Sequence, residues 1–131
     1  MTVNLQEHPI ALVVEDHAAV RRALCERIHV SFGQFLMREA GNVDEALKIV
    51  ESEKVDLVLM DFRLPGRDGV DGTRMVLERS PNTSVVMVSG YDDSSHRSAA
   101  TKAGARAFVS KRAINRELIP VITSLVYPQG A

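Results

Sequence analysis

The feature that most constrains the fold is an alternation of two patterns along the chain. Five short segments, most of them apolar and rich in branched residues, alternate with five segments in which apolar residues recur at helical spacing. Such alternation predicts a parallel sheet with helices on both faces, joined by right-handed crossovers. In a chain of 131 residues it favours an α/β, flavodoxin-like (βα)5 fold with strand order 2-1-3-4-5. The strands are predicted over residues 10–14, 35–39, 55–60, 84–88 and 107–109.

Residues typical of helix ends divide the segments between these strands. The first helix is predicted over about residues 17–31, and Asn42, with a glutamate three positions on, resembles a capping box for the second. The third helix is predicted to begin at Asp68 or Gly69, and Gly104 is expected to end the fourth. Because Pro120 removes a hydrogen bond and clashes with the preceding turn, it predicts a late start or a local kink in the last helix.

Composition and charge exclude several classes of protein. With 16 basic and 17 acidic residues the net charge is −1, which argues against direct binding to nucleic acid or to an anionic membrane. No apolar run reaches the ~18 residues of a membrane helix, and residues 1–9 carry no signal-peptide core. The lone cysteine, Cys25, excludes an internal disulfide and fits a reducing, cytoplasmic setting. We therefore expect one cytoplasmic domain over residues 1–131, with its core at about 9–126 and no effector domain in this chain.

Acidic residues stand where two of the predicted strands end. Glu15 and Asp16 follow the first strand directly, and Asp61 stands where the third strand gives way to a turn rich in Pro and Gly. In the predicted order these two strands are central neighbours, so their carboxylates converge at the edge where open α/β sheets bind ligands. Ser89 and Lys111 stand at the ends of the fourth and fifth strands, at the same edge.

The converging carboxylates favour a particular chemistry. Carboxylates this close resist full ionisation unless a cation lies among them. Oxygen ligands suit Mg²⁺, which takes one or two carboxylates together with phosphate oxygens. A carboxylate beside Mg²⁺ can act as a nucleophile and form an aspartyl phosphate. The ammonium of Lys111 and the hydroxyl of Ser89 would then contact phosphoryl oxygens.

Each of these residues also has a purely structural interpretation. Asp61 could cap the turn that follows it, and Glu15 or Asp16 could cap the first helix. Lys111 could be an ordinary solvated lysine. His17 is interpreted as a helix-start residue rather than a metal ligand. The combination of these residues at one edge favours the functional interpretation.

Four segments, each at a predicted strand end, identify a family pattern. They are VVEDH at 13–17, MDFRLPGRDG at 60–69, VSG at 88–90 and AGARAFVSK at 103–111. With these segments in this order, the chain resembles the receiver domain of two-component response regulators over essentially its whole length. The sequence at residues 15–17 and 90–93 is most similar to that of receivers that precede helix-turn-helix output domains of the NarL/FixJ type.

The resemblance implies roles for the acidic residues. Asp61 would be the phosphoacceptor, taking a phosphoryl group from a histidine kinase or a histidine phosphotransfer protein. Mg²⁺ would be bound directly by Asp16, together with Asp61 and the backbone carbonyl of Arg63. Glu15 would act on the ion through water.

The resemblance also implies a switch and an output surface. Ser89 would follow the phosphoryl group, and Phe108 would turn inward as Ser89 moves. This would change the face made by the fourth helix, fifth strand and fifth helix, where receivers commonly form homodimers or meet partners. The expected output is regulation of transcription, with no separate turnover substrate: the domain would catalyse only its own phosphorylation and dephosphorylation.

Two positions affect what the resemblance implies for this chain. Many receivers have proline directly after the lysine, but here the residue is Arg112, so an unusual peptide geometry at that bond is not expected. Tyr91 stands at a position that tunes phosphate lifetime in the family. Its bulk is expected to shield the phosphoryl group from water and slow self-hydrolysis.

Two other functions remain open at this point. One is a phosphorylation-independent pseudo-receiver that serves as an interaction module, although such domains usually lose one of the four residues Asp16, Asp61, Ser89 and Lys111. The other is a Mg²⁺-dependent aspartyl phosphohydrolase. Enzymes of the haloacid-dehalogenase type require a second acidic residue two positions after the nucleophile, where this chain has Arg63.

Overall fold

The elements alternate strictly between strand and helix along the chain. A computed structural model describes residues 8–127. The strands are β1 (Ile10–Val14), β2 (Leu36–Ala40), β3 (Leu57–Asp61), β4 (Ser84–Ser89) and β5 (Ala107–Ser110). The helices are α1 (Ala18–Ser31), α2 (Val43–Ser52), α3 (Gly69–Arg79), α4 (Ser94–Ala103) and α5 (Ile114–Val126), with a 3-10 turn at Lys111–Ala113.

The strands form one parallel sheet in the order β2-β1-β3-β4-β5, which confirms the predicted flavodoxin-like topology. Within residues 8–127, no helix combines the length and the apolar character needed to cross a membrane. The predicted polar N-terminal stretch at residues 1–7 and the end of the predicted domain at 128–131 lie outside the described residues.

Both faces of the sheet are covered, because side chains alternate along each strand and helices pack on each side. One cluster joins the sheet to α1 and α5, and includes Val13, Leu59, Val88, Ile28, Leu118 and Ile122. The other joins the opposite face to α2, α3 and α4, and includes Leu12, Met60, Met87, Val43, Val76 and Ala100. The central strands β1, β3 and β4 are buried along their whole length, so the ends of these strands are held rigidly.

Local sequence signals set most helix ends as predicted. The side chains of Asn42, Asp68 and Asp93 each accept a hydrogen bond from a backbone N–H in the first turn of α2, α3 and α4. Gly104 ends α4 with φ 105°, in the left-handed region that favours glycine.

Several boundaries differ from the prediction: β2, β3, β4 and β5 each end one residue later than predicted, and three elements begin elsewhere. β3 begins at Leu57 rather than Val55, whose carbonyl accepts its hydrogen bond from the Thr83 hydroxyl (2.7 Å). β2 begins at Leu36 rather than at 35, since the Phe35 N–H is used in a turn with Phe32 (3.1 Å). α5 begins at Ile114, so the late start predicted from Pro120 is wrong. Burial of one helix face outweighs the single hydrogen bond that proline removes; the buried residues are Leu118, Ile122 and Val126.

The turn after β3 is held against the end of that strand. The Gly69 N–H donates to the Phe62 carbonyl (2.8 Å). A Cβ at Gly69 would lie 2.1 Å from the Asp61 carbonyl oxygen and 2.8 Å from Met87 Cε. Glycine is therefore required at the start of α3, because only its lack of a side chain lets the helix approach Asp61 this closely.

Candidate functional site

Strand register brings the acidic residues together at the carboxyl edge of the sheet. Val14 pairs with Met60, so Glu15 and Asp61 extend side by side from β1 and β3. On the other side of β3, Asp61 pairs with Val88, which Ser89 follows. Ser89 in turn pairs with Ser110, and Lys111 comes next in the chain. The convergence predicted from strand order is therefore present.

Lys111 bridges two buried carboxylates. Its Nζ lies 3.2 Å from Glu15 Oε1 and 3.3 Å from Asp61 Oδ2. Glu15 is 1% exposed and Asp61 is 6% exposed, so both carboxylates depend on the lysine for charge compensation. Lys111 is thus ion-paired with both carboxylates, although its side chain is 38% exposed. We call Glu15, Asp61 and Lys111 the charged edge.

The three groups of the charged edge shift one another's pKa values. Burial raises the pKa of Asp61 to about 6, the charge of Glu15 adds to the rise, and Lys111 opposes it. Burial alone would also raise the pKa of Glu15, but the His17 N–H and the charge of Lys111 outweigh it and lower the pKa to about 2. Burial works toward a lower pKa for Lys111, yet the two carboxylates outweigh it and raise that pKa. Asp61 is thus the carboxyl group whose charge is least well compensated.

Asp16 and His17 lie beside Glu15. The His17 N–H donates to Glu15 Oε2 (3.0 Å), and its Nδ1 lies 3.3 Å from Glu15 Oε2 and 3.4 Å from Asp16 Oδ1. His17 itself occupies the cap position of α1, without a side-chain cap bond, so neither acid caps that helix. Among the described residues, Glu15, Asp16 and His17 place three potential ligand atoms within 4.8 Å of one another. The imidazole is a potential ligand that the sequence interpretation set aside.

The charged edge opens onto a groove of about 420 Å³. Its lining includes Asp16, Asp61, Arg63, Tyr91 and Lys111. The Arg63 N–H donates a long hydrogen bond (3.4 Å) to Asp61 Oδ1 where the turn begins. The groove offers carboxylate oxygens beside one ammonium group, a donor set that fits a hard cation such as Mg²⁺.

Comparison with known proteins identifies the family. Residues 11–123 match the family described as response regulator receiver domain. The chain belongs to this family. Its receiver spans about half the length of the curated relatives it matches.

The chain is similar to curated transcriptional regulators and to solved response regulators. It is 37% identical over 102 residues to the transcriptional activator protein ExaE of Pseudomonas putida, covering 78% of this chain and 48% of that protein. A LuxR-family two-component response regulator from Aurantimonas matches with TM-score 0.82 and 26% identity, over 88% of this chain and 82% of that one. The response regulator TrrA of Thermotoga maritima, solved with Mg²⁺ and a BeF group, matches with TM-score 0.79 and 26% identity, over 90% and 99%.

The other residues singled out in the sequence lie next to this edge of the receiver. Ser89 is buried at the end of β4, and its Oγ accepts a hydrogen bond from the Tyr91 N–H (3.0 Å). Phe108 is half-buried on β5. The guanidinium of Arg97, on α4, lies 4.7 Å above the Phe108 ring. No sequence pattern predicts that Arg97 contacts Phe108, since only the packing of α4 on β5 brings the two side chains together.

Proposed function

We propose that Asp61 accepts a phosphoryl group from a histidine kinase or a histidine phosphotransfer protein. The observation that carries the proposal is the Lys111 ammonium lying between Asp61 and Glu15 at the head of an open groove. This arrangement places a nucleophilic carboxylate beside a fixed positive charge and within reach of an incoming phosphate.

The transfer follows from groups already in place. An Asp61 carboxylate oxygen attacks phosphorus as the bond from phosphorus to the donor nitrogen breaks, and the electron pair leaves with the donor imidazole. Lys111 holds one phosphoryl oxygen, and the Ser89 hydroxyl donates to another. Water ends the phosphorylated state by attacking the phosphorus of the aspartyl phosphate: the bond from phosphorus to the Asp61 oxygen breaks, inorganic phosphate leaves, and the carboxylate is restored. The domain then catalyses only its own phosphorylation and dephosphorylation.

A Mg²⁺ ion would be held at the same edge. Asp16 and Asp61 would bind it directly with the Arg63 carbonyl, and Glu15 would act through water. The support is the donor set: oxygen atoms converge on the groove, while the single ammonium of Lys111 leaves negative charge uncompensated. When bound, the ion supplies neutralisation of the charge on the phosphoryl group.

The proposed output is a change in the face formed by α4, β5 and α5. Movement of Ser89 toward the phosphoryl group would vacate space into which Phe108 turns, and homodimers or partners would meet that face. Regulation of transcription is supported by the relatives, which include a transcriptional activator. We place the receiver, with its core at 9–126, in the cytoplasm, which fits its free, buried Cys25.

Intact mass after incubation with Mg²⁺ and acetyl phosphate tests the proposal. The wild-type chain should gain one phosphoryl group, and Asp61→Asn or added chelator should abolish the gain. A folded wild-type chain that gains nothing would contradict the proposal and favour a phosphorylation-independent interaction module. Continuous release of phosphate from a small ester would instead favour the hydrolase.

A further inference from the structure

Four side chains form a closed ring of contacts next to the acceptor. The Arg63 guanidinium lies 4.8 Å from the centre of the Tyr91 ring. Tyr91 stacks on His96 at 5.3 Å with 21° between the ring planes. His96 in turn contacts Phe62 at 4.8 Å and 53°. Because Phe62 and Arg63 are consecutive residues, this series of contacts begins and ends on neighbouring positions of the chain. We call these four residues the aromatic clasp.

The aromatic clasp joins two segments of different character. Phe62 and Arg63 directly follow Asp61 at the rigid end of β3, whereas Tyr91 and His96 belong to the loop after β4 and the first turn of α4. Tyr91 and Arg63 both line the groove onto which Asp61 opens. Both side chains therefore form part of the wall of the groove through which water would reach Asp61.

His96 is the fixed member of the clasp on the α4 side. Its Nδ1 lies 2.7 Å from Asp93 Oδ1, and the same oxygen accepts the His96 N–H (2.9 Å) at the cap of α4. Tyr91 is 50% exposed. Its backbone N–H is tied to Ser89, but its ring is positioned by stacking alone.

We propose that His96 is a positioning residue that holds the Tyr91 ring over the acceptor groove and so sets how fast water reaches an aspartyl phosphate at Asp61. The effect on the lifetime of the aspartyl phosphate rests on the proposed function. The placement of the Tyr91 ring by His96 does not. Stacking, rather than the hydrogen bond to Asp93, is the interaction that acts on Tyr91.

The placement is tested without phosphorylation. The chain has no tryptophan and two tyrosines, so Tyr127→Phe leaves Tyr91 as the sole tyrosine, whose fluorescence is excited without exciting phenylalanine. In that background we expect His96→Ala to raise acrylamide quenching of Tyr91 roughly 1.5-fold or more, because one face of the ring loses its partner. His96→Phe, which restores a stacked ring, and His29→Ala, an exposed histidine on α1, should quench as the parent does. Equal quenching in His96→Ala and the parent would overturn the proposal.

The lifetime is tested by decay of the phosphorylated chain after removal of acetyl phosphate. His96→Ala should shorten the half-life by roughly three- to tenfold, the range for loss of one stacked aromatic contact. His96→Phe should restore most of it. In a Tyr91→Ala background, His96→Ala should have no further effect, because its action runs through Tyr91.

The outcomes separate this proposal from the proposed function. An unchanged half-life in His96→Ala, or an equal loss in the Tyr91→Ala background, would show that His96 does not act through Tyr91. Failure of the parent chain to take up phosphate would overturn the proposed function and the lifetime effect with it. The quenching experiment would still decide whether His96 positions Tyr91.

Discussion

The charged edge and the aromatic clasp lie within a few residues of each other but are held by different forces. Glu15 and Asp61 are almost wholly buried, and Lys111 makes ionic contacts of 3.2 and 3.3 Å to them. The clasp, by contrast, is half exposed at Tyr91 and consists of ring and guanidinium contacts between 4.8 and 5.3 Å.

The difference separates a part of the site that must stay fixed from a part that can move. Removing one partner of a fully buried ion pair costs about 3–5 kcal/mol, and solvent screening reduces this to about 1–2 kcal/mol for the partly exposed Lys111. An exposed stacking or cation–π contact is worth about 0.5–1.5 kcal/mol. On the proposed function, a phosphoryl charge on Asp61 would therefore rearrange the clasp more easily than the strand ends that carry Glu15, Asp61 and Lys111. The predictions below test this contrast.

The largest expected effect is at the turn that supports the charged edge. Gly69→Ala would place a methyl group 2.1 Å from the Asp61 carbonyl oxygen. We expect it to lower the free energy of unfolding by about 3 kcal/mol through overpacking and backbone displacement. Urea denaturation measures the loss. Gly90→Ala, where nothing lies within 4 Å, is the matched control and should change stability little.

Removing the ammonium of the charged edge should have the next largest effect. Lys111→Met leaves Glu15 and Asp61 facing each other without a counter-charge. Because Lys111 is partly exposed, water compensates some of the loss, and we expect about 1–2 kcal/mol of destabilisation at pH 7. Phosphorylation by acetyl phosphate should fall by about 10- to 100-fold with loss of the charge on the phosphoryl oxygen. Lys102→Met on the exposed face of α4 should alter neither property; equal losses in both variants would contradict the assignment.

The raised pKa of Asp61 predicts a stability difference that depends on pH. The folded-state pKa is about 6, above the ordinary value of 3.8, so ionising Asp61 costs the folded state stability. This cost is absent below about pH 4, grows as the pH rises through 6 and is complete above it. In chelator, Asp61→Asn should therefore be more stable than wild type by about 1–2 kcal/mol at pH 8, after allowance for solvent screening, and the difference should vanish near pH 4. A difference that stays constant with pH would count against the raised pKa.

The smallest expected effect is at the contact between α4 and β5. Arg97→Gln removes the guanidinium above the Phe108 ring. We expect a loss of about 0.5–1 kcal/mol of unfolding free energy, the value of an exposed cation–π contact. NMR of the Phe108 ring should show faster rotamer exchange. Arg116→Gln, at an exposed position of α5, is the control. A loss of unfolding free energy of the same size in that variant would show that Arg97 has no specific role.

Much of the architecture is determined by the sequence alone. Apolar runs and helical periodicity are local patterns, so the five strands, their order and most helix caps could be predicted from residues near one another in the chain. Acids at the ends of neighbouring strands also predict where they meet, because parallel strands present their carboxyl ends at one edge. The position of the charged edge follows from these rules.

The tertiary structure alone decides the interactions between distant residues. The contact of Lys111 with Glu15 joins residues 96 positions apart, and its length depends on how β5 and the 3-10 turn pack. The stacking of Tyr91 on His96, and Arg97 over Phe108, depend on the placement of α4, which no local pattern encodes. The start of α5 before Pro120 is decided in the same way, because burial of a helix face outweighs a local preference. Local patterns therefore determine where charges meet, while packing determines what surrounds them.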